Sequence, residues 1–150
     1  MHNILKHYNK INAFGQDQDM HYEVLEPGKI IYTMKIKEKH MGTTVAAHGG
    51  IIAAFMDAIL GVTALSLSCE SNKLVSTVEF KMNYFSPTRL GDELVAEGYI
   101  ESAGKRIIIT TGVIRAKNRD NVVIAKGMGT FNAYPIEKSG MLEKEDGSMS

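Results

Sequence analysis

Cysteine is almost absent from this sequence: Cys69 is the only one among 150 residues. A single cysteine excludes an intramolecular disulfide and a structural zinc site. The chain also lacks an excess of charge, because 17 lysines and arginines balance 17 aspartates and glutamates. Proteins that bind nucleic acid through its phosphates usually carry a basic surplus. We therefore expect no nucleic-acid partner.

The sequence offers no clear targeting or membrane segment. Its first residues, MHNILKHYNKINAFGQ, are too polar for the apolar core of a signal peptide. The apolar stretch 51–67 is nearly long enough for a membrane helix, but Asp57, Gly61, Thr63 and Ser66 interrupt it and basic flanks are lacking. We expect a buried helix there, no membrane association, and a cytoplasmic protein.

Two hydrophobic periods divide the chain into elements. Apolar residues at helical spacing predict a short leading helix that ends near Gly15. Alternation of apolar and polar residues predicts two strands joined by the turn PGK and then, after a helix, four more strands in a meander. The predicted strands cover 20–26, 30–37, 73–85, 93–102, 106–116 and 122–134.

The segment from Gly49 to about Leu67 lacks this alternation and is apolar nearly all round, which indicates a helix buried on most sides. One helix and a large antiparallel sheet bury each other only if the sheet curls around the helix. We therefore predict an α+β fold, a curled antiparallel sheet wrapped around a long central helix. A single domain would cover residues 1–134, followed by a disordered tail at 135–150.

One carboxylate, Asp57, stands inside the apolar helix. It is the only charged residue between Gly42 and Cys69, and His48 is the only other acid–base group there. A buried carboxylate without a partner is costly, so Asp57 requires either a partner or a chemical function. Small residues beside it leave room for a substrate or for a closely packed backbone, and the sequence leaves both open.

The motif His48-Gly49-Gly50 stands where the helix begins. A helix N-terminus presents free N–H groups and favours negative charge, and glycines let a ligand approach the backbone closely. A helix cap with tight packing explains the motif equally well.

The spacing of Gly49 and Asp57 predicts an oligomer if both are catalytic. Eight residues of helix separate them by about 12 Å. A hydrogen-bond donor and a base that act on the same carbonyl must both lie within one or two hydrogen bonds of it. Two antiparallel copies of the helix would bring Gly49 of one chain near Asp57 of the other, so the active unit would be a dimer.

The sequence resembles the hotdog-fold acyl-CoA thioesterases of the phenylacetyl-CoA thioesterase-like group over about 12–134. The resemblance rests on HGGIIAAFMDAILG, on TVEFKMNYFSPTRLGDEL with its Y-x-S-P-x-x-x-G-D pattern, and on GKRIIITTGVIRAKN and VVIAKGMGTF. It implies an acyl-CoA substrate, no metal, and no cofactor, since coenzyme A is part of the substrate. It also implies a homodimer with the active site at the interface, in most members paired into a homotetramer.

The resemblance assigns four catalytic roles. The Gly49 N–H polarises the thioester carbonyl, and Asp57 of the partner subunit acts as general base on water or as direct nucleophile. Thr77 stands where some relatives have a serine that holds the attacking water. His48 orders the Gly49 loop or contacts the sulfur side of the thioester.

The resemblance also assigns substrate contacts. Lys105 and Arg106 match a stretch that lies along coenzyme A, with Tyr84 as a neighbour, and ordinary solvated turn residues explain this pair equally well. Gly50 belongs to the backbone that a ligand approaches. Relatives often have an asparagine about six residues before HGG; here Gly42 occupies that spacing, and His40 would replace the asparagine if two residues are inserted.

Two other functions stay open at this point. A non-catalytic acyl-CoA sensor would use the same fold but usually needs an output module, and a hotdog hydratase or dehydratase would use a histidine paired with an acid at other positions. The acyl group is not specified. The candidates for an acyl pocket are equally well explained as core residues: Met34, Phe55, Met56, Ile59, Met82, Tyr84 and Phe85.

Overall fold

One long helix lies against a six-stranded antiparallel sheet in the computed structural model, which describes residues 1–140. The helices are α1 (Asn3–Ile11), α2 (Ala13–Asp17) and α3 (Gly49–Ser68). The strands are β1 (His21–Glu26), β2 (Lys29–Lys35), β3 (Lys73–Tyr84), β4 (Glu93–Ala103), β5 (Ile107–Ala116) and β6 (Val122–Pro135). The predicted architecture, a single antiparallel sheet around one central helix, is confirmed.

The strand order is β1-β2-β4-β5-β6-β3. The prediction that the last four strands form a meander is therefore wrong for β3, which pairs with β6 at the edge of the sheet, whereas β4, β5 and β6 follow one another as expected. Alternation shows which residues share a face of a strand, but it does not show which strands are neighbours. The loop 85–92 carries the chain from this edge back to β4, which lies beside β2.

The core lies between α3 and the concave face of the sheet. Phe55, Met56 and Ile59 are fully buried on the sheet side of α3. An added Cβ at Gly112 of β5 or Gly127 of β6 would lie 3.1 or 2.9 Å from the Met56 sulfur, so these glycines let α3 approach the strands closely. Within residues 1–140, Gly49–Ser71 is the one helical segment long and apolar enough to cross a membrane, and it is this core helix.

The N-terminal segment covers a second, smaller core. Ile4 and Leu5 of α1 pack with Leu65, and Ile136 lies against the same cluster. The predicted single leading helix is divided at Asn12, whose side-chain oxygen accepts a hydrogen bond from the Gly15 N–H at 3.1 Å.

The tail boundary differs from the prediction. Pro135 is the last residue of β6, and Ile136–Lys138 form a short 3-10 turn. The remainder of the predicted disordered tail, 141–150, lies outside the described residues.

Candidate functional site

One face of α3 is left open by the sheet, and the single carboxylate of the helix lies on it. Asp57 is half-buried there, next to half-buried small residues, Ala53, Ala54 and Gly61. Its Oδ1 accepts a hydrogen bond of 3.0 Å from the Thr77 hydroxyl on edge strand β3. The structure therefore joins two of the predicted catalytic residues, and within residues 1–140 the side-chain partner of Asp57 is one neutral hydroxyl.

The start of α3 is held by two side chains. His48 is the N-cap, and its Nδ1 accepts a hydrogen bond of 2.8 Å from the Gly50 N–H. The Tyr84 hydroxyl donates to the Gly49 carbonyl at 2.6 Å. Gly49 is the first helical residue, so its own N–H has no acceptor within the helix. His48 therefore caps the helix next to Gly49, and its catalytic role stays a prediction.

Gly49 and Asp57 lie on the same helix and do not meet within one chain. Both belong to α3, eight residues apart, which corresponds to about 12 Å along the helix axis. Because they are this far apart, the Gly49 N–H and the Asp57 carboxylate of one chain do not face the same reacting atom.

An apolar cavity of about 290 Å³ opens beside Asp57. Its lining comes from α1, α3, β3 and β6: Ile4, Tyr8, Asp57, Ala58, Gly61, Val62, Leu65, Leu74, Val75, Thr77, Phe131 and Tyr134. Burial raises the pKa of the Tyr8 hydroxyl, and the nearby Asp57 charge raises it further. The cavity therefore combines one carboxylate with an apolar lining that favours the binding of a hydrocarbon group.

The sequence interpretation missed the contribution of α1 to this cavity. Its apolar spacing predicted the helix but carried no signal of where the helix would dock. Four of the expected acyl-pocket candidates are buried core residues: Met34, Phe55, Met56 and Ile59. Tyr84 and Phe85 instead line a second cavity, of about 300 Å³, which the Gly49 end of α3 shares with the loop 85–88.

His40 lies in the loop before α3, and its carbonyl accepts a hydrogen bond of 2.8 Å from the His48 N–H. It is buried, its Nδ1 accepts from the Lys37 N–H at 2.9 Å, and its Nε2 lies 2.8 Å from the Gln18 side-chain oxygen. Burial, with smaller contributions from neighbouring lysines, lowers the pKa of His40. Both ring nitrogens are thus occupied within the fold. In this arrangement the side chain anchors the loop before α3, and the expected substrate contact of His40 stays a prediction.

Lys105 and Arg106 stand in the turn between β4 and β5. Both are exposed, and their carbonyls accept hydrogen bonds from the Lys73 ammonium at 2.8 Å and from the Ala133 N–H at 2.6 Å. They therefore lie near the start of β3, whereas Tyr84 and the Gly49 end of α3 lie at its other end. Within one chain the structure does not bring these two basic residues to Gly49.

An ion pair between the buried Asp92 and the half-buried Arg119 holds the loop 85–92. Asp92 is 2% exposed. It accepts two hydrogen bonds of 2.8 Å from Arg119, one from Nε and one from a terminal nitrogen, and a third of 2.8 Å from the Arg89 N–H. Arg119 also donates to the Pro87 carbonyl at 2.9 Å. Burial raises the pKa of Asp92, but the hydrogen bonds from Arg119 and the Arg89 N–H outweigh it and hold that pKa below its ordinary value.

We expect Arg119→Met to lower the free energy of unfolding by about 3 kcal/mol, because it leaves the Asp92 carboxylate buried without its cation. The contribution of Asp92 to stability is present above its ordinary pKa and is lost as the pH falls through its lowered folded pKa. Urea unfolding at neutral and acid pH measures both effects, and Asp92→Asn with Arg119→Met is the control that removes the uncompensated charge. An unchanged unfolding midpoint in Arg119→Met would contradict the role of the pair.

Comparison with known proteins agrees with this architecture. Human acyl-coenzyme A thioesterase 13 is 30% identical over 105 residues, which cover 69% of this chain and 72% of the relative. The E. coli PaaI protein from the phenylacetic acid degradation operon superposes with a TM-score of 0.79 at 15% identity, over 87% of this chain and 90% of that one. A Streptococcus pneumoniae hypothetical thioesterase protein, solved with coenzyme A, gives 0.75 at 18% identity, over 85% and 97%.

The family pattern of the thioesterase superfamily matches residues 46–123, more than half of the chain. The match begins just before the His48-Gly49-Gly50 motif and runs through α3, β3, β4 and β5. The chain therefore belongs to the thioesterase superfamily, and its sheet and central helix are the hotdog fold of an acyl-CoA thioesterase.

Proposed function

We propose that this protein hydrolyses acyl-CoA thioesters to a free carboxylic acid and coenzyme A, with Asp57 as the general base. The observation that carries the proposal is the position of Asp57, hydrogen-bonded to Thr77 at one end of an apolar cavity. A carboxylate in this place is suited to activate water beside the carbonyl of an apolar acyl group. The name of the human relative, an acyl-coenzyme A thioesterase, supports the same substrate class.

The chemistry uses the Thr77–Asp57 pair to hold and activate one water. The Thr77 proton is donated to Asp57, so the Thr77 oxygen accepts a hydrogen bond from water. Asp57 takes a proton from that water as its oxygen attacks the thioester carbon. A backbone N–H at Gly49 stabilises the negative charge on the carbonyl oxygen. When the carbon–sulfur bond breaks, the proton returns from Asp57 to the departing thiolate. Direct attack by Asp57 is the alternative first step.

The proposed active unit is a homodimer in which Asp57 acts with Gly49 of the partner subunit. Supporting this, β3 lies at the sheet edge, and Val78 in its middle is 59% exposed. Antiparallel pairing of two β3 edges would set the α3 helices antiparallel, so that the N-terminus of one helix faces the middle of the other.

The same pairing supports a role for the basic turn. It would bring the partner's Gly49 toward the end of β3 near Lys105 and Arg106, where two cations suit the phosphates of coenzyme A. From the family resemblance we extend the proposal to a homotetramer of two such dimers, located in the cytoplasm.

A panel of acyl-CoAs assayed with a thiol-reactive dye tests the activity. We expect release of coenzyme A in stoichiometric amounts with free acid, because hydrolysis breaks the carbon–sulfur bond. An acyl-CoA sensor would instead bind tightly and release no thiol. A hydratase would consume the conjugated-alkene absorbance of an enoyl-CoA without releasing thiol, and either result would overturn the proposal.

A further inference from the structure

The cavity beside Asp57 extends along α3, away from the N-terminus of the helix. Asp57 and Thr77 lie at one end, and Leu65 and Leu74 lie at the other. Eight residues of helix separate Asp57 from Leu65, so the cavity is about 12 Å long on this side. An acyl group whose carbonyl is attacked beside Asp57 would therefore run toward Leu65.

Helix α1 closes one side of this cavity. Ile4 and Tyr8 contribute to the lining, and Leu5 holds the helix in place through the second core. The Tyr22 hydroxyl adds a hydrogen bond of 3.4 Å to the Leu5 carbonyl. One wall of the cavity is thus provided by a separate element of the chain, which packs against Leu65 of α3.

Gly61 is the point at which a side chain would enter the cavity. It stands one turn beyond Asp57, about 6 Å along the axis of α3. An added Cβ there would meet only the ring of Phe131 within 4 Å, with the two nearest carbons at 3.4 and 3.9 Å. A Cβ at Gly61 would therefore make an ordinary van der Waals contact with Phe131, which also lines the cavity, and a longer side chain would have to extend past that ring into the cavity.

We infer that Gly61 sets the length of the acyl group that the enzyme accepts, by leaving the path from Asp57 to Leu65 open. The inference rests on the proposed thioesterase function and adds its substrate range.

A cavity of 290 Å³ holds about ten water-sized groups, at roughly 30 Å³ each. Carbon–carbon bonds of about 1.5 Å advance a zigzag chain by about 1.3 Å, so a 12 Å path takes about nine bonds. The preferred substrates are medium-chain, apolar acyl-CoAs of up to about ten carbons.

The apolar lining predicts how activity depends on length. Each buried methylene strengthens binding about fourfold. For the wild type we expect kcat/KM to rise along the straight-chain series from butanoyl-CoA to decanoyl-CoA and to stop rising beyond it. Phenyl-terminated acyl-CoAs of the same length form a second series, which separates a limit on length from a limit on width.

Gly61→Leu is the variant that tests the inference, with Gly61→Ala as the intermediate step. Replacing glycine in a helix interior raises helix propensity, which favours folding of both variants. In Gly61→Leu we expect the ratio of kcat/KM for decanoyl-CoA to that for butanoyl-CoA to fall by about 10²-fold, the loss of about four methylenes at fourfold each. Gly61→Ala would lower the ratio less.

The matched variant in the opposite direction is Leu65→Ala, which lengthens the far end of the cavity and should move the preferred acyl group to longer chains. It also keeps the inference testable if Gly61→Leu does not fold. Two results would overturn the inference and leave the proposed function standing. One is the same dependence of kcat/KM on acyl length in the wild type, Gly61→Leu and Leu65→Ala. The other is a kcat/KM that falls by the same factor at every acyl length in the variants. Failure of the wild type to release coenzyme A from any acyl-CoA would overturn the proposed function itself.

Discussion

Asp57→Asn is expected to lower kcat by about 10²- to 10⁴-fold, the range that a general base contributes to a proton-transfer step. Asparagine has the shape of aspartate, and its side-chain oxygen still accepts the Thr77 hydrogen bond that is 3.0 Å long in the wild type. The substitution therefore removes the ability to take a proton from water and little else. Steady-state release of coenzyme A measures kcat and KM, and thermal unfolding confirms that the fold is retained.

Thr77→Val is the matched control for this experiment. It keeps the carboxylate and removes only the hydroxyl that orients it and binds water, so we expect a smaller loss of kcat, about tenfold. Turnover by a folded Asp57→Asn protein at the wild-type rate would show that Asp57 is not the base. A larger loss in Thr77→Val than in Asp57→Asn would transfer the principal role to the hydroxyl.

The sequence predicts the elements of this fold well because each has a local signal. Apolar residues all round 49–67 indicated a buried helix, and α3 runs from Gly49 to Ser68 with its sheet side fully buried. Alternation located every strand to within one or two residues. What it did not locate was the neighbour of β3, because β3 pairs with β6 through contacts between residues about 50 positions apart, such as Thr77 and Phe131.

The site was predictable to the extent that it depends on spacing. The distance between Gly49 and Asp57 follows from the rise of a helix, and the structure retains it because both lie on one uninterrupted helix. Spacing alone could not predict the contact between Asp57 and Thr77, because that contact joins α3 to a strand. The family resemblance assigned both residues to the attacking water, but it did not state that they contact each other.

Residues whose partners are distant in the chain were not predictable. The His40 ring contacts the Lys37 N–H on one side and, on the other, Gln18, which lies 22 positions earlier and gave no signal in the sequence. The ion pair of Asp92 and Arg119 likewise joins two loops 27 positions apart. A charge pattern in one sequence does not show which loops meet. From the sequence alone, such charged residues are therefore expected to be exposed to solvent.

Mixing two inactive variants is expected to restore activity, because the proposed site takes one residue from each subunit. The first variant is Asp57→Asn. The second is Gly49→Pro, which removes the backbone N–H at the first residue of α3, where proline fits the helix. His48 before it is already extended, at φ −61° and ψ 131°, as a residue before proline must be. Alone, Gly49→Pro should lower kcat by about 10²- to 10³-fold, the cost of one oxyanion donor.

The control for the proline variant is Gly49→Ala, which keeps the N–H. Its added Cβ would lie 3.5 Å from the Tyr84 oxygen, an ordinary contact, so we expect it to retain most of the wild-type kcat. A similar loss in both variants would attribute the effect to crowding at the helix start and not to the missing donor.

In a dimer of one Asp57→Asn chain and one Gly49→Pro chain, one site has both residues intact and the other has neither. When equal amounts of the two variants are unfolded and refolded together, half of the dimers are mixed, and roughly one quarter of the wild-type activity should return. If Gly49 and Asp57 instead acted within one chain, every site would lack one of them and no activity would return. The mixing experiment thus decides, by the amount of coenzyme A released, whether the roughly 12 Å between these residues is bridged by a second subunit.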